Sequence, residues 1–217
     1  MKKKSSCFII GTGGHSRAVI SSLKKSKNYI IEGLIDISPY FDLSEKILDY
    51  PVIGGQDFLE ILLRNKSNNY FLAIGENHIR RDIFNFLVKN DAKLPNLFDP
   101  YSFVDQSVEY GKGNIFFHNS YVGPSVKLGS NNIFNTGCVV EHNSSILNHC
   151  HLAPNSVICG NSHIDDLCFI GANSTVINNI MICSEIKLGA GSTVTKSIKN
   201  KSSTYVGSPA KEIERKK

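Results

Sequence analysis

The stretch VVEHNSSILNHCHLAPN, Val139 to Asn155, holds three of the chain's seven histidines: His142, His149 and His151. Close spacing alone leaves them open as metal ligands, acid–base groups or bystanders, and the backbone that carries them decides. Apolar residues recur here at Val140, Ile146 and Leu152, six apart. That period fits neither a 3.6-residue helix nor a two-residue strand.

The same step runs in both directions. From Val104 through Tyr110, Phe116, Val122, Leu128 and Phe134, and onward to Leu188 and Val194, all sixteen positions are apolar or aromatic. With a hydrophobic content of 41%, such a run arises by chance on the order of once in a million. Two places before each apolar residue stands a mostly small one, among them Ser120, Asn132, Cys138, Ser144, Cys150, Ser156 and Cys168. Glycine directly follows the apolar residue at Gly111, Gly123, Gly129, Gly171 and Gly189, where it is expected to relieve a strained turn. A parallel β-helix of hexads meets all three demands: each hexad forms one flat side and sends its apolar residue into a narrow core. With three sides to a coil, the sixteen hexads make about five coils, about 24 Å tall at the usual strand spacing.

This ruler sorts the histidines. His142 lies two residues after Val140, His149 three after Ile146, and His151 one before Leu152. None takes the inward slot, so all are expected at corners or on outer faces, toward solvent or a neighbouring chain. A thin solenoid with flat faces is also expected to self-associate.

Residues 1–95 follow a different rhythm. CFIIG (7–11), YIIEGLID (29–36) and YFLAIG (70–75) read as strands; GGHSRAVISSLKKS (13–26), GQDFLEILLRN (55–65) and ENHIRRDIFNFLVKN (76–90) read as helices. The last places Ile79, Ile83, Phe86 and Leu87 on one face. Such alternation predicts a small α/β domain with a parallel sheet. The organisation expected is therefore an α/β domain over 1–95, a β-helix over 96–200 and a tail over 201–217.

Composition sets outer limits. The net charge of +5 comes partly from MKKK and KEIERKK, read as solvated termini. With no Trp and no basic run interleaved with aromatics, a nucleic-acid partner is not expected. No stretch approaches the roughly 20 apolar residues that span a bilayer. The apolar run CFII is too short for a secretory signal, so a cytoplasmic location is expected. The six cysteines form no CxxC pair.

Six motifs spread over the chain carry a family likeness: IIGTGGHSRAVI (9–20), GLID (33–36), PVIGG (51–55), AIGENHIR (73–80), NTGCVVEH (135–142) and VGSPAK (206–211). With the hexad register they resemble the left-handed β-helix acyltransferases, and among these the sugar acetyltransferases of the bacillosamine, perosamine and sialic-acid type. The resemblance implies a homotrimer with acetyl-CoA lying between adjacent β-helices, no metal, and a nucleotide-linked sugar on the N-terminal domain. It implies N-acetylation, with a UDP-linked 4-amino-4,6-dideoxy sugar as the first expectation and O-acetylation of a sialic-acid type as the alternative. In the family the residue matching His142 is the general base, a task suited to an imidazole near its own pKa.

The same resemblance gives His151, Gly160, Ala172 and Ala190 to the cofactor groove and Asn135 to the sugar's reactive end. Relatives usually carry an acid after the catalytic histidine; here that position is Asn143, while the acid before it, Glu141, is present. The partner that orients His142 is thus Glu141, Asn143 or another subunit. In the N-terminal half, GTGGHS follows a strand and opens a helix, a setting that attracts phosphate. Gly13, Gly14 and His15 are expected at the pyrophosphate of a nucleotide sugar; Asp36 either meets the ribose or base or caps a turn, and Ile37 and Gly55, the latter also readable as a plain turn, are expected at the substrate. Arg80 either starts a helix or meets a phosphate, and Lys211 either caps the chain or meets a phosphate of CoA. A zinc site of the γ-type carbonic anhydrase kind shares the β-helix, but His142 and His118 stand 24 residues apart and His149 and His151 belong to another side.

Overall fold

A computed structural model describes residues 4–213. Residues 1–3, with two of the N-terminal lysines, and residues 214–217 lie outside the described residues. The chain divides into two compact units, Met1–Pro100 and Tyr101–Lys217, a few residues beyond the change of period.

The first unit is an α/β sheet. In chain order it holds β1 (Ser5–Ile10), α1 (Gly14–Ser26), β2 (Tyr29–Ile35), β3 (Lys46–Ile47), β4 (Tyr50–Gly54), α2 (Gln56–Leu62), β5 (Asn69–Leu72), α3 (Asn77–Lys89) and β6 (Leu97–Phe98). The sheet order is β3-β4-β2-β1-β5, parallel except for the β3–β4 hairpin. The chain moves outward one way from β1 and then returns to place β5 on its other side. This makes a switch point between β1 and β5, where ligands of such sheets bind at the strands' C-terminal ends. Helix α3 buries Ile83, Phe84 and Leu87 with Asn77 and Arg80, whereas Ile79 is 47% exposed. The expected apolar face was therefore turned by about a residue. Glu76 caps this helix, its carboxylate accepting from Ile79 N–H at 2.7 Å.

The second unit is a three-faced parallel β-helix. Sixteen two-residue strands, β7 (Phe103–Val104) to β22 (Thr193–Val194), follow one another at six-residue intervals. From β7 to β19 each pairs with the strand eighteen residues on, as Tyr121 with Val139 and Val139 with Val157, so three hexads make one coil. The first face stacks β7, β10 (Tyr121–Val122), β13 (Val139–Val140), β16 (Val157–Ile158), β19 (Thr175–Val176) and β22. The second face runs from β8 (Glu109–Tyr110) to β20 (Met181–Ile182). The third contains β9 (Ile115–Phe116), β12 (Ile133–Phe134), β15 (His151–Leu152), β18 (Phe169–Ile170) and β21 (Lys187–Leu188). From Phe116 to Val194 every residue of the six-step register is buried; Tyr110, in the first coil, remains 47% exposed. The small positions are buried too, and Asn132 shows why polar ones are tolerated. Its amide donates to Leu147 O at 2.7 Å and its oxygen accepts from Cys150 N at 2.7 Å, linking coils. The segment expected as a tail continues this body: β23 (Thr204–Val206) adds parallel to β21, and β24 (Lys211–Ile213) returns antiparallel.

The reason given for the glycines after the apolar residues is corrected. None of Gly111, Gly123, Gly129, Gly171 or Gly189 has a left-handed φ. The left-handed place comes three residues after the apolar one: stepping by six from Gly113 to Gly191, every residue has φ between 55° and 71°. Asparagine fills half of it, at 119, 131, 143, 155, 161, 173 and 179, because its short polar side chain tolerates that region best after glycine. What Gly129 and Gly171 supply is room between coils. A Cβ would lie 2.5 Å from Asn148 Oδ1 at the one and 2.4 Å from Leu188 O at the other.

Candidate active site

The N-terminal candidates gather at the C-terminal ends of the strands. Gly11, at the end of β1, has φ +106 and lies against Ala73 O, so the fold itself requires glycine there. Gly13 and Gly14 are different: neither has a left-handed φ, and a Cβ on either would meet nothing within 4 Å. The fold makes no demand for two glycines at the start of α1, and the open space above them suits a ligand that approaches the backbone closely. His15 follows in the first turn. Burial, and then the charge of Arg80, hold its imidazole down at about 4. It is neutral near pH 7 and would meet a pyrophosphate as a hydrogen-bond donor rather than as a cation.

Arg80 is 1% exposed and donates to Ile74 O, Gly75 O and Asn77 Oδ1 at 3.0, 3.2 and 2.8 Å. It braces the loop after β5 from within, so its surroundings do not present it to a phosphate. Asp36 is 9% exposed and one of its oxygens accepts from Ser38 N at 2.8 Å, forming a turn. Ile37 and Gly55 line a cleft of about 740 Å³ whose walls also include Phe41, Leu43, Phe58 and Asp57. The ring of Phe41 rests on Gly55, where a Cβ would come within 2.4 Å of it.

The depressed His15 pKa carries a stability prediction. The unfolded chain binds a proton near 6.5 and the folded chain only near 4, so stability is intact above about 7 and falls as pH drops toward 4. A His15→Asn variant should flatten that part of the urea-unfolding profile of the N-terminal unit, by about 2–3 kcal/mol between pH 7 and 4.5. Parallel profiles for the two proteins would show that His15 is not the group responsible.

In the β-helix, His142 stands exposed at the edge between the first and second faces. Its ring lies over Gly160 of the next coil, where a Cβ would be 2.7 Å from Cε1 and 2.8 Å from Nε2. Gly160, expected in the cofactor groove, is thus the seat of the imidazole. Asn143 Nδ2 lies 3.2 Å from His142 Nδ1. Glu141 is half-buried, and its carboxylate has no partner among the described residues. Of the two flanks it is Asn143 that the fold brings to the ring.

His151 corrects an expectation. Although it points outward from β15, it is only 8% exposed, between Ile133 and Phe169 of the adjoining coils. The Phe169 ring meets it edge-on at 5.2 Å, and Asn135 Nδ2 approaches its Nε2 to 3.1 Å. Asn135, Ala172 and Ala190 follow β12, β18 and β21, so they line the edge between the third and first faces. The remaining histidines are engaged elsewhere. His149 occupies a left-handed turn (φ 61) against Asn131 at 2.8 Å. On the second face, His163 sits between Ser145 Oγ at 2.5 Å and Asp165 Oδ1 at 2.8 Å, a polar ladder that sequence reading missed because its members lie on different coils.

Two edges of one prism therefore hold the candidate residues: His142 and Gly160 on one, Asn135 with His151, Ala172 and Ala190 on the other. The first face separates them. It presents the ladder Phe103, Tyr121, Val139, Val157, Thr175 and Thr193. Phe103 is 52% exposed and stacks on Tyr121 at 5.4 Å. Among the described residues no group of three or more His, Cys, Asp or Glu could hold a metal ion, and no helix is long and apolar enough to cross a membrane.

Residues 6–87 match the PglD N-terminal domain. No curated protein matches by sequence. Among solved structures the chain is similar to a GDP-perosamine N-acetyltransferase from Caulobacter crescentus, determined as a histidine-to-alanine variant with CoA and GDP-perosamine. Identity is 28%, 97% of each chain is covered, and the TM-score is 0.90. It is also similar to the acetyltransferase domain of PglB from Neisseria gonorrhoeae in complex with acetyl coenzyme A, at 25% identity over 97% of this chain and 100% of that one, with a TM-score of 0.87. WeeI from Acinetobacter baumannii, at 21% identity, 97% and 100% coverage and a TM-score of 0.75, shares the fold. An N-terminal domain of the PglD kind joined to a parallel β-helix, alike over both halves to sugar N-acetyltransferases solved with CoA, identifies this chain as an acetyl-CoA-dependent sugar acetyltransferase similar to those of the bacillosamine and perosamine type.

Proposed function

We propose that the protein transfers the acetyl group of acetyl-CoA to the amino group of a nucleotide-linked amino sugar, at a site completed by two copies of the chain. The observation that carries this reading is the division of the candidate residues between the two edges of one apolar face. When three prisms turn such faces toward a threefold axis, the His142 edge of each meets the Asn135 edge of the next. The groove so formed joins a base from one chain to cofactor and sugar contacts from another, and covers Phe103, Tyr121, Val139 and Val157. The neighbours bound to CoA, acetyl-CoA and GDP-perosamine support the ligand classes.

Within that groove the sugar amine attacks the thioester carbonyl and His142 takes its proton. The C–S bond breaks as the C–N bond is kept, and the imidazolium returns the proton to the departing thiolate. His142 needs a bare Nε2 or Nδ1 for this. An amide nitrogen can only donate, so with Asn143 Nδ2 facing Nδ1 the ring proton sits on Nε2. A half-turn of the amide puts its oxygen there instead, holds the proton on Nδ1 and frees Nε2 as the base. Asn143 orients the ring without a charge to offset the imidazolium. Asn143→Asp should therefore raise kcat about three- to tenfold and move the acid limb of the pH–rate profile upward. Aspartate also tolerates the left-handed turn. An unchanged kcat and profile would remove Asn143 from the mechanism.

The acceptor is taken to be a 4-amino-4,6-dideoxy sugar, UDP-linked as the first to try. Release of free thiol from acetyl-CoA, followed with UDP-, GDP- and dTDP-linked 4-amino sugars and with hydroxyl acceptors, tests the reading. One nucleotide-linked amine should be turned over at least tenfold faster than every hydroxyl acceptor. Turnover of hydroxyl acceptors alone would replace N- with O-acetylation.

A further inference from the structure

The edge that carries Asn135 holds a second column, two residues after each core position of the third face: His118, Thr136, Pro154, Ala172 and Ala190. Its profile is uneven. Four of the five side chains are short and leave a slot along the edge, which the ring of His118 closes in the first coil. Tyr101 reinforces the closure. Its carbonyl accepts from Asn119 N at 3.1 Å, which seats it one coil before Asn119 and beside His118. The two rings meet edge-on, their centroids 4.9 Å apart at 62°. His118 is half-buried and Tyr101 is 64% exposed, and neither belongs to the core of the β-helix.

The height of this pair along the prism gives it a meaning. One coil of eighteen residues climbs one strand spacing, about 4.8 Å. A threefold axis parallel to the prisms keeps each residue of one chain level with the same residue of the next. His142 then stands about 2 Å above Asn135 of the neighbouring chain, seven residues earlier, and about 6 Å above its His118, 24 residues earlier. A pyranose measures roughly 5–6 Å from an amine on C4 to the oxygen on C1. With its amine at His142 and its ring directed toward the first coil, such a sugar ends at the level of His118 and Tyr101. The opposite direction is the short-side-chain slot, which fits the thin arm of a thioester and offers no ring to hold a sugar. Donor arm and acceptor cannot share one path from the reacting carbon.

We propose that Tyr101 and His118 form the wall that holds the sugar ring of the acceptor, on the chain opposite His142. The Tyr101 ring covers a C–H face of the pyranose, and the His118 imidazole meets its hydroxyls. This rests on the acetyl-transfer reading above and adds the residues that fix the acceptor's orientation. The wall reads the sugar and leaves nucleotide and CoA to other residues.

The Tyr101→Ala/His118→Ala variant tests the wall, and Tyr101→Ala alone, at an exposed position, serves if the double variant fails to fold. Calorimetry without acetyl-CoA compares a UDP-, GDP- or dTDP-linked 4-amino sugar with the matching bare nucleoside diphosphate. The double variant should bind the conjugate about tenfold more weakly than wild type does, and the bare diphosphate equally well. In turnover, KM for the conjugate should rise about tenfold and kcat should fall severalfold as the amine loses its orientation. KM for acetyl-CoA should stay within about twofold of wild type. Equal weakening of conjugate and diphosphate, weakening of neither, or a wild type that binds both alike would overturn the wall. If substitution removes sugar-dependent binding but wild type transfers no acetyl group, the wall stands and the acetyl-transfer reading falls. If transfer proceeds and the variant's KM for the conjugate is unchanged, the reading stands and the wall is refuted.

Discussion

Replacing His142 with alanine should lower kcat for acetyl transfer by about 10²- to 10⁴-fold, the usual worth of a positioned general base. Binding of acetyl-CoA should survive, because the ring stands exposed at the edge and supports no part of the core. The loss should be largest at neutral pH and shrink as pH rises and the amine becomes free to attack without help. Calorimetry with CoA and steady-state rates on the same preparation separate the two effects. Near-normal turnover would mean that another group takes the proton; the engaged pair His163 and Asp165 lies around the edge on the second face and does not stand ready for it.

The second large effect comes from a single methyl group. Gly160→Ala puts a Cβ where His142 Cε1 and Nε2 are 2.7 and 2.8 Å away, distances no real side chain keeps. The imidazole is the free end of an exposed side chain, so it can swing aside at little cost to folding. Thermal stability should change by less than about 1 kcal/mol, while kcat should fall about 100-fold, since a base displaced by an ångström no longer reaches the proton. The double variant His142→Ala/Gly160→Ala should be no worse than His142→Ala alone. A large loss of stability, or two losses that multiply, would show that Gly160 serves the coil and not the ring.

Much of this architecture was legible because a β-helix repeats its demands. Every sixth residue must fill a core one side chain wide, so a six-step register survives in one sequence without any alignment. The turn chemistry was equally present but assigned to the wrong place. The glycines after the apolar residues drew the eye, whereas the left-handed position is marked by a column of asparagines three residues on. Asn143 belongs to that column, so its identity answers a backbone requirement as well as the catalytic role proposed for it.

The β3–β4 hairpin escaped notice for a related reason. Its two-residue turn has φ 47° and 73°, yet it is made by Leu48 and Asp49 rather than Asn-Gly. What the sequence could not show was which residues meet across coils. The burial of His151 against Phe169 and the seat that Gly160 makes for His142 each join residues eighteen positions apart, one coil on, through stacking rather than spacing.

The sharing of one site between two chains is best tested by mixing two inactive proteins. His142→Ala damages one edge of the prism; Ala172→Arg with Ala190→Arg obstructs the other, at half-exposed and exposed positions respectively. Each variant alone should be nearly inert. Co-expressed in equal amounts and assembled at random, they should regain about a quarter of the wild-type acetyl-transfer rate, because that share of grooves pairs an intact His142 edge with an intact Asn135 edge. Mixed assemblies as inactive as their parents would contradict the two-chain site.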